Sequence, residues 1–274
     1  MNRCPDLLFP YNLTMGVDVS RRSIGLALSG GSVRGIAHIG VIKALTESGI
    51  QPAVVVGTSV GSLIGAGFAA GMSWHELKRM AEAVFWPSLL NGERLERFCN
   101  KYLPSSFADL RLPFAAVATA LPAKQTVVLT SGELAPAISA SCAMLVVRRP
   151  VSLNGYRLKD GGISCVLPSR PCRGLGAEFV VASDVWAFSA FCRGLGLAPG
   201  HRRARHVYPK QYLDAVEAAG LVIQPDIPIR VYVPGCLSVN QLIATGEKAT
   251  HRALAEGNLQ TAGSQADLAS IARQ

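Results

Sequence analysis

Residues 54–61 read Val54-Val55-Val56-Gly57-Thr58-Ser59-Val60-Gly61, and their order decides the fold. Three β-branched residues in a row suit a buried strand. Gly57 and Gly61 stand two positions before and after Ser59. Small residues there permit a tight, strained turn that lifts a serine hydroxyl clear at the end of a strand. The residues after Ser59 are apolar enough for a buried helix. The uncharged stretch is wider still, running from Ser48 to Trp74, longer than the roughly 20 residues a membrane span needs. Gly57, Gly61 and Gly65 even have the GxxxG spacing of paired membrane helices. Strand, turn and helix account for the stretch better. Gln51-Pro52 interrupts its start, and Gly57, Gly61, Gly65, Gly67 and Gly71 make a poor isolated helix. No transmembrane span is expected.

Outward from this unit, strand and helix signals alternate. Upstream, Ile24 to Leu28 is a short apolar strand, a glycine loop follows, and Ile36 to Glu47 has helical spacing. Downstream, Trp74 to Phe85 and Glu93 to Tyr102 read as amphipathic helices. Pro113 to Thr119 and Gln125 to Thr130 read as strands, and Glu133 to Ala143 as a helix. Val151 to Leu158 folds about Asn154-Gly155 as a hairpin. Glu178 to Asp184 is a further buried strand. Tyr208 to Ala219 and Val239 to Ala255 are helices, with a strand near Ile229 to Val233 between them. Continuous apolar strands separated by helices imply a mostly parallel sheet covered on both faces. Residues 24–261 form the expected domain, with 1–23 as an N-terminal extension and 262–274 as a frayed tail.

Of the 274 residues, 49% are hydrophobic and 16% charged, which excludes intrinsic disorder. The start lacks a long apolar core with a small-residue cleavage site, so no secretory signal is expected. Seven cysteines are scattered without a CxxC pair, which favours reduced thiols in the cytoplasm over disulfides or zinc. The 27 basic and 18 acidic residues give a net charge of +9. Residues 141–210 hold 11 basic and 3 acidic residues, including Arg148-Arg149 and the run from His201 to His206. That surplus is either a solvated loop or a patch for anionic phosphates. Nucleic acid is the weaker partner, because aromatic interleaving is sparse and no finger or RNP pattern occurs.

Two further motifs stand at element junctions. Ser29-Gly30-Gly31-Ser32-Val33-Arg34-Gly35 joins the first strand to its helix. Such a loop turns backbone N–H groups toward an anion, either a phosphate or an oxyanion. It does not fit GxGxxG, and no P-loop lysine follows. Arg34 either orients the loop or is a surface residue at the helix start, and His38 is expected to be structural. Asp160-Gly161-Gly162 is either a turn or a carboxylate held where it can reach Ser59. Ser59 in turn is either a nucleophile needing a base or a helix-capping serine.

Taken together in this order, the three motifs resemble the patatin-like phospholipase family. Leu28 to Leu45 is similar to that family's glycine-rich motif and first helix, Gly57 to Gly61 to its elbow, and Asp160-Gly161-Gly162 to its DG(G/A) motif. Pro168 also matches. The resemblance covers roughly Ile24 to Asp184. It implies a three-layer α/β/α fold and a Ser59–Asp160 dyad without histidine, with an oxyanion hole around Gly30, Gly31, Ser32 and Arg34. It implies hydrolysis of lipid acyl esters of the phospholipase A or lysophospholipase type, with no cofactor and no metal. The expected partners are a lipid substrate and an anionic membrane surface, met peripherally.

The chain departs from the family pattern at three places. Ser32 stands where a third glycine is usual. The segment from Ala140 to Val151 lacks a proline–phenylalanine pair and carries Val146-Val147-Arg148-Arg149. Cys165 and Val166 stand where asparagine is common. Two alternatives stay open: a Ser–Asp–His esterase using His201, His206 or His251, and a catalytically weak lipid-binding protein on the same scaffold.

Overall fold

The computed structural model describes residues 7–8, 23–84, 91–144, 147–187, 208–228, 231 and 237–256. The strands are β1 (Leu7–Leu8), β2 (Ile24–Leu28), β3 (Val54–Thr58), β4 (Phe114–Leu121), β5 (Gln125–Leu129), β6 (Val151–Leu153), β7 (Tyr156–Asp160), β8 (Phe179–Ser183) and β9 (Leu221–Ile223). The α-helices are α1 (Ala37–Glu47), α2 (Val60–Ala69), α3 (Trp74–Glu82), α4 (Gly92–Tyr102), α5 (Leu134–Ser141), α6 (Ser169–Gly174), α7 (Lys210–Glu217) and α8 (Val239–Ala255). Ser73 and Ser238 start α3 and α8 with reciprocal capping boxes to Glu76 and Gln241, the local signal that fixes a helix N-terminus.

One mixed sheet runs in the order β1-β5-β4-β3-β2-β8-β9, with the β6–β7 hairpin joined through β7 to β4. The pairs β4–β3, β3–β2, β2–β8 and β8–β9 are parallel, whereas β5 and β7 run antiparallel to β4. Successive residues of the central strands point to opposite faces, and both faces are apolar. Leu26, Leu28, Val55, Ala116 and Val181 join one core cluster with α1, α2, α3 and α5. Ala27, Val54, Val56, Val117 and Val180 join the other with Cys172 of α6 and Tyr212 and Ala215 of α7. The result is the expected α/β fold, a sheet flanked by helices. No helix among the described residues is long and apolar enough to cross a membrane, and the uncharged stretch from Ser48 to Trp74 contains β3 and α2.

The differences from the sequence reading are local. The glycine loop tightens into a 3-10 turn over Ser32–Ile36 before α1 begins. The strand beside β8 is Leu221–Ile223, three residues too short to show a period. The strand expected near 229–233 falls mostly outside the described residues. So do the run from His201 to His206 and the tail 262–274.

The register on β4 positions the site. β5 occupies one edge of β4 along Ala116–Ala120. The opposite edge is shared: β3 pairs with it up to Thr58↔Val117, and β7 takes over from Ala118↔Asp160. Parallel β3 and antiparallel β7 therefore meet tip to tip over two consecutive residues of β4. Ser59 follows one tip and Asp160 is the other.

Candidate active site

At the β3 tip the backbone turns sharply. Ser59 has φ 53° and ψ −126°, a left-handed conformation that costs a non-glycine residue about 1–3 kcal/mol and persists only where neighbours enforce it. The turn is so tight that a Cβ on Gly57 would collide with the Gly61 carbonyl, and one on Gly61 with the Leu28 carbonyl. Ser59 occupies the N-cap of α2, yet its side chain makes no capping bond. Its Oγ instead donates to Asp160 Oδ2 at 2.8 Å.

Asp160 is held on every side. Its Oδ1 accepts from the Gly162 N–H at 2.8 Å, its N–H donates to the Ala143 carbonyl, and its carbonyl accepts from Thr119 Oγ1 at 2.9 Å. Thr119 continues through Ser164 Oγ to Thr126 Oγ1, a chain of hydroxyls. Asp160 is only 8% exposed. Burial holds its carboxyl above the ordinary aspartate value, opposed by the Gly162 N–H, the Ser59 hydroxyl and the charges of Arg148 and Lys159. Gly161 lies over the Val117 carbonyl.

The glycine loop runs alongside. A Cβ on Gly30 would lie 3.5 Å from the Cβ of Ser59. The Gly30 N–H is committed to the Val166 carbonyl at 2.9 Å. Among the described residues no protein group accepts from the amides of Gly31, Ser32 and Val33, which leaves these as the loop's available donors. Ser32 has φ 55°, the left-handed region where glycine would be unstrained.

Residues 26–110 match the family model for patatin-like phospholipase. Over that stretch the chain is similar to patatin-like phospholipases. An uncharacterized NTE family protein of Mycobacterium tuberculosis is 34% identical over 172 residues, covering 58% of this chain and 48% of that protein. Patatin-like phospholipase domain-containing protein 6 of Homo sapiens is 34% identical over 182 residues, covering 60% of this chain and 13% of that protein. The chain thus spans about half the length of the mycobacterial relative and a smaller share of the human one. VipD from Legionella pneumophila superposes with a TM-score of 0.58 at 15% identity, over 86% of this chain and 67% of that one. That likeness is one of fold.

Arg34 is no surface residue. It is 5% exposed, and it braces the glycine loop through Nε to the Gly31 carbonyl at 3.4 Å and Nη1 to the Trp186 carbonyl at 2.9 Å. Gly35 lies against the Val60 side chain, locking the loop to α2. Cys165 and Val166 serve through their backbone: the Cys165 carbonyl accepts from Thr58 Oγ1 at 2.9 Å and the Val166 carbonyl from Gly30. Carbonyls do this work whatever the side chain, which explains how the departure at these positions is accommodated.

Both ring nitrogens of His38 are bonded to groups other than Ser59 and Asp160. Its Nε2–H donates to the Ser29 carbonyl at 2.9 Å, so Nδ1 accepts from Ser183 Oγ at 2.7 Å. His251 is exposed on α8 beside Glu247, and His201 and His206 lie outside the described residues.

Several residues at the site carry no motif signal. The Ser141 hydroxyl accepts from the Ser59 N–H at 2.9 Å. The Cys142 thiol lies beside the Ser59 and Ser62 hydroxyls, and burial pushes it up to about 12. Arg148 binds the carbonyl and hydroxyl of Ser139 at 2.8 Å each, and Lys159 ties down the Met144 and Arg148 carbonyls. Ser141 reaches Ser59 and Val117 across the fold, while Arg148 and Lys159 bond groups 9 to 15 residues away; neither arrangement is a motif that a single sequence displays.

Proposed function

We propose that the protein hydrolyses ester-linked acyl chains of lipids, with Ser59 as nucleophile and Asp160 as its base. The observation that carries this reading is the 2.8 Å bond from Ser59 Oγ to Asp160 Oδ2, made by a serine whose strained backbone aims it away from its own helix. Asp160 takes the Oγ proton as Oγ bonds the ester carbonyl carbon, and the carbonyl oxygen becomes an oxyanion. The amides of Gly31 and Ser32 receive that charge, each donor contributing about 3 kcal/mol in sites of this type. Collapse breaks the ester bond, and the leaving alkoxide takes the proton from Asp160. Water then gives a proton to Asp160 and attacks the acyl-serine. The fatty acid departs as Ser59 Oγ recovers a proton. Burial supports the assignment of the base, since a carboxylate with a raised pKa accepts a proton more readily.

The same reading makes an anionic lipid surface the partner. It is supported by the flank that carries Asp160: residues 141–160 contain four basic residues against the single acid Asp160, and of these Arg149 and Arg157 are exposed. Met144 and Val147, 38% and 53% exposed, are the exposed large apolar side chains among the described residues.

Turnover of p-nitrophenyl acyl esters tests the chemistry. Ser59→Ala and Asp160→Asn are expected to lose about a thousandfold or more in kcat/KM, with His251→Ala unchanged. Collapse of the histidine variant while Asp160→Asn stays active would overturn the dyad.

A further inference from the structure

The β3–β4 ladder ends at Thr58↔Val117, and the next amide along, that of Ser59, does not bond the sheet. The Ser141 hydroxyl stands in between. It accepts from the Ser59 N–H at 2.9 Å and donates to the Val117 carbonyl at 2.6 Å. Its direction is fixed, because an amide N–H can only donate and a carbonyl can only accept. Ser141 is fully buried at the last residue of α5.

Its neighbours extend the pattern. Two residues on, the Ala143 carbonyl accepts from the Asp160 N–H at 2.9 Å. One three-residue stretch at the end of α5 therefore grips the backbone of Ser59 through a side chain and the backbone of Asp160 through a carbonyl. The other polar groups of Ser59 are held as well: its carbonyl accepts from Ser62 N–H at 2.8 Å and Ser62 Oγ at 2.6 Å, and its hydroxyl goes to Asp160. Ser141 alone holds the amide, on the φ side of the strained residue.

We infer that Ser141 is a positioning residue for the proposed reaction, its hydroxyl acting as a spacer between β4 and Ser59 that keeps the serine out of the ladder and aimed at Asp160. This rests on the reading of Ser59 and Asp160 given above. Without the hydroxyl, the Ser59 amide and the Val117 carbonyl can close on each other as the next rung of the sheet, drawing the nucleophile away from its base. Ser141 also occupies the Ser59 amide, as Val166 occupies that of Gly30, so neither of these amides is left for the oxyanion.

The test compares Ser141→Ala, Ser141→Thr, Ser59→Ala and Asp160→Asn on p-nitrophenyl butyrate, with thermal melts of each. Ser141→Ala is expected to lower kcat about 10- to 100-fold, the scale of a nucleophile misplaced by about an ångström, with KM within about threefold and the protein folded at the assay temperature. Ser141→Thr, which keeps the hydroxyl, is expected to recover most of that loss. In Ser141→Ala the acid limb of the kcat/KM profile should also move to higher pH, because Asp160 loses a hydroxyl that favours its charged form. A folded Ser141→Ala enzyme with wild-type kcat overturns the inference, as does a loss confined to KM. If Ser59→Ala and Asp160→Asn retain turnover, it is the underlying assignment that fails instead.

Discussion

Asp160 must be ionised to act as a base, and its surroundings resist that charge. Burial raises its folded pKa above the ordinary aspartate value, so the stability it contributes is present below the unfolded value and lost as pH rises through the folded one. At neutral pH the ionised carboxylate therefore costs stability. Asp160→Asn is expected to be at least as stable as the wild type in urea denaturation at pH 7 while losing activity. The acid limb of the wild-type kcat/KM profile should lie above the usual carboxylate range. Arg148→Ala, which removes a charge that favours ionised Asp160, should move that limb to still higher pH. A limb unchanged by the substitution would mean that Arg148 serves only to bind Ser139. Ser59 and Asp160 were legible in the sequence because each sits in a local glycine pattern. Arg148 and Ser141 were not, because their bonds to Ser139, Ser59 and Val117 follow no motif that a single sequence displays.

β3 was marked by Val54–Val56 and the hairpin by Asn154-Gly155, whereas the short Ser169–Gly174 and Leu221–Ile223 carried no such mark. What the sequence withheld was pairing. Nothing in Tyr156–Asp160 says that β7 runs antiparallel along the edge of β4 just vacated by β3, yet that register sets Asp160 against Ser59. The first helix shows a similar limit. Its periodicity gives α1 but not the burial of His38, which links α1 to the ends of β2 and β8 through Ser29 and Ser183. Burial lowers this histidine to about 4. The unfolded chain takes up a proton near pH 6.5 before the folded one does, so stability falls as pH drops from about 6.5 to about 4, by on the order of 3 kcal/mol. Comparing wild type with His38→Gln at pH 7 and pH 4.5 checks this. The variant should show the shallower dependence, and parallel curves would contradict it.

For the molecule as a whole, the oily composition resolves into a sheet buried on both faces, and Arg149 and Arg157 are exposed in the segments beside Asp160. If that flank meets lipid, binding to vesicles containing phosphatidylglycerol should exceed binding to pure phosphatidylcholine and weaken with salt. Indifference to both would reduce the charge to a solvated surface. The proposed chemistry rests on one pair, Ser59 as nucleophile and Asp160 as its base. Intact-mass analysis after treatment with a fluorophosphonate reports on that pair. One adduct is expected, on Ser59, forming in wild type and His251→Ala and slowed by orders of magnitude in Asp160→Asn. A folded wild-type protein that takes no label on Ser59, or an Asp160→Asn variant that labels as fast as wild type, would contradict it.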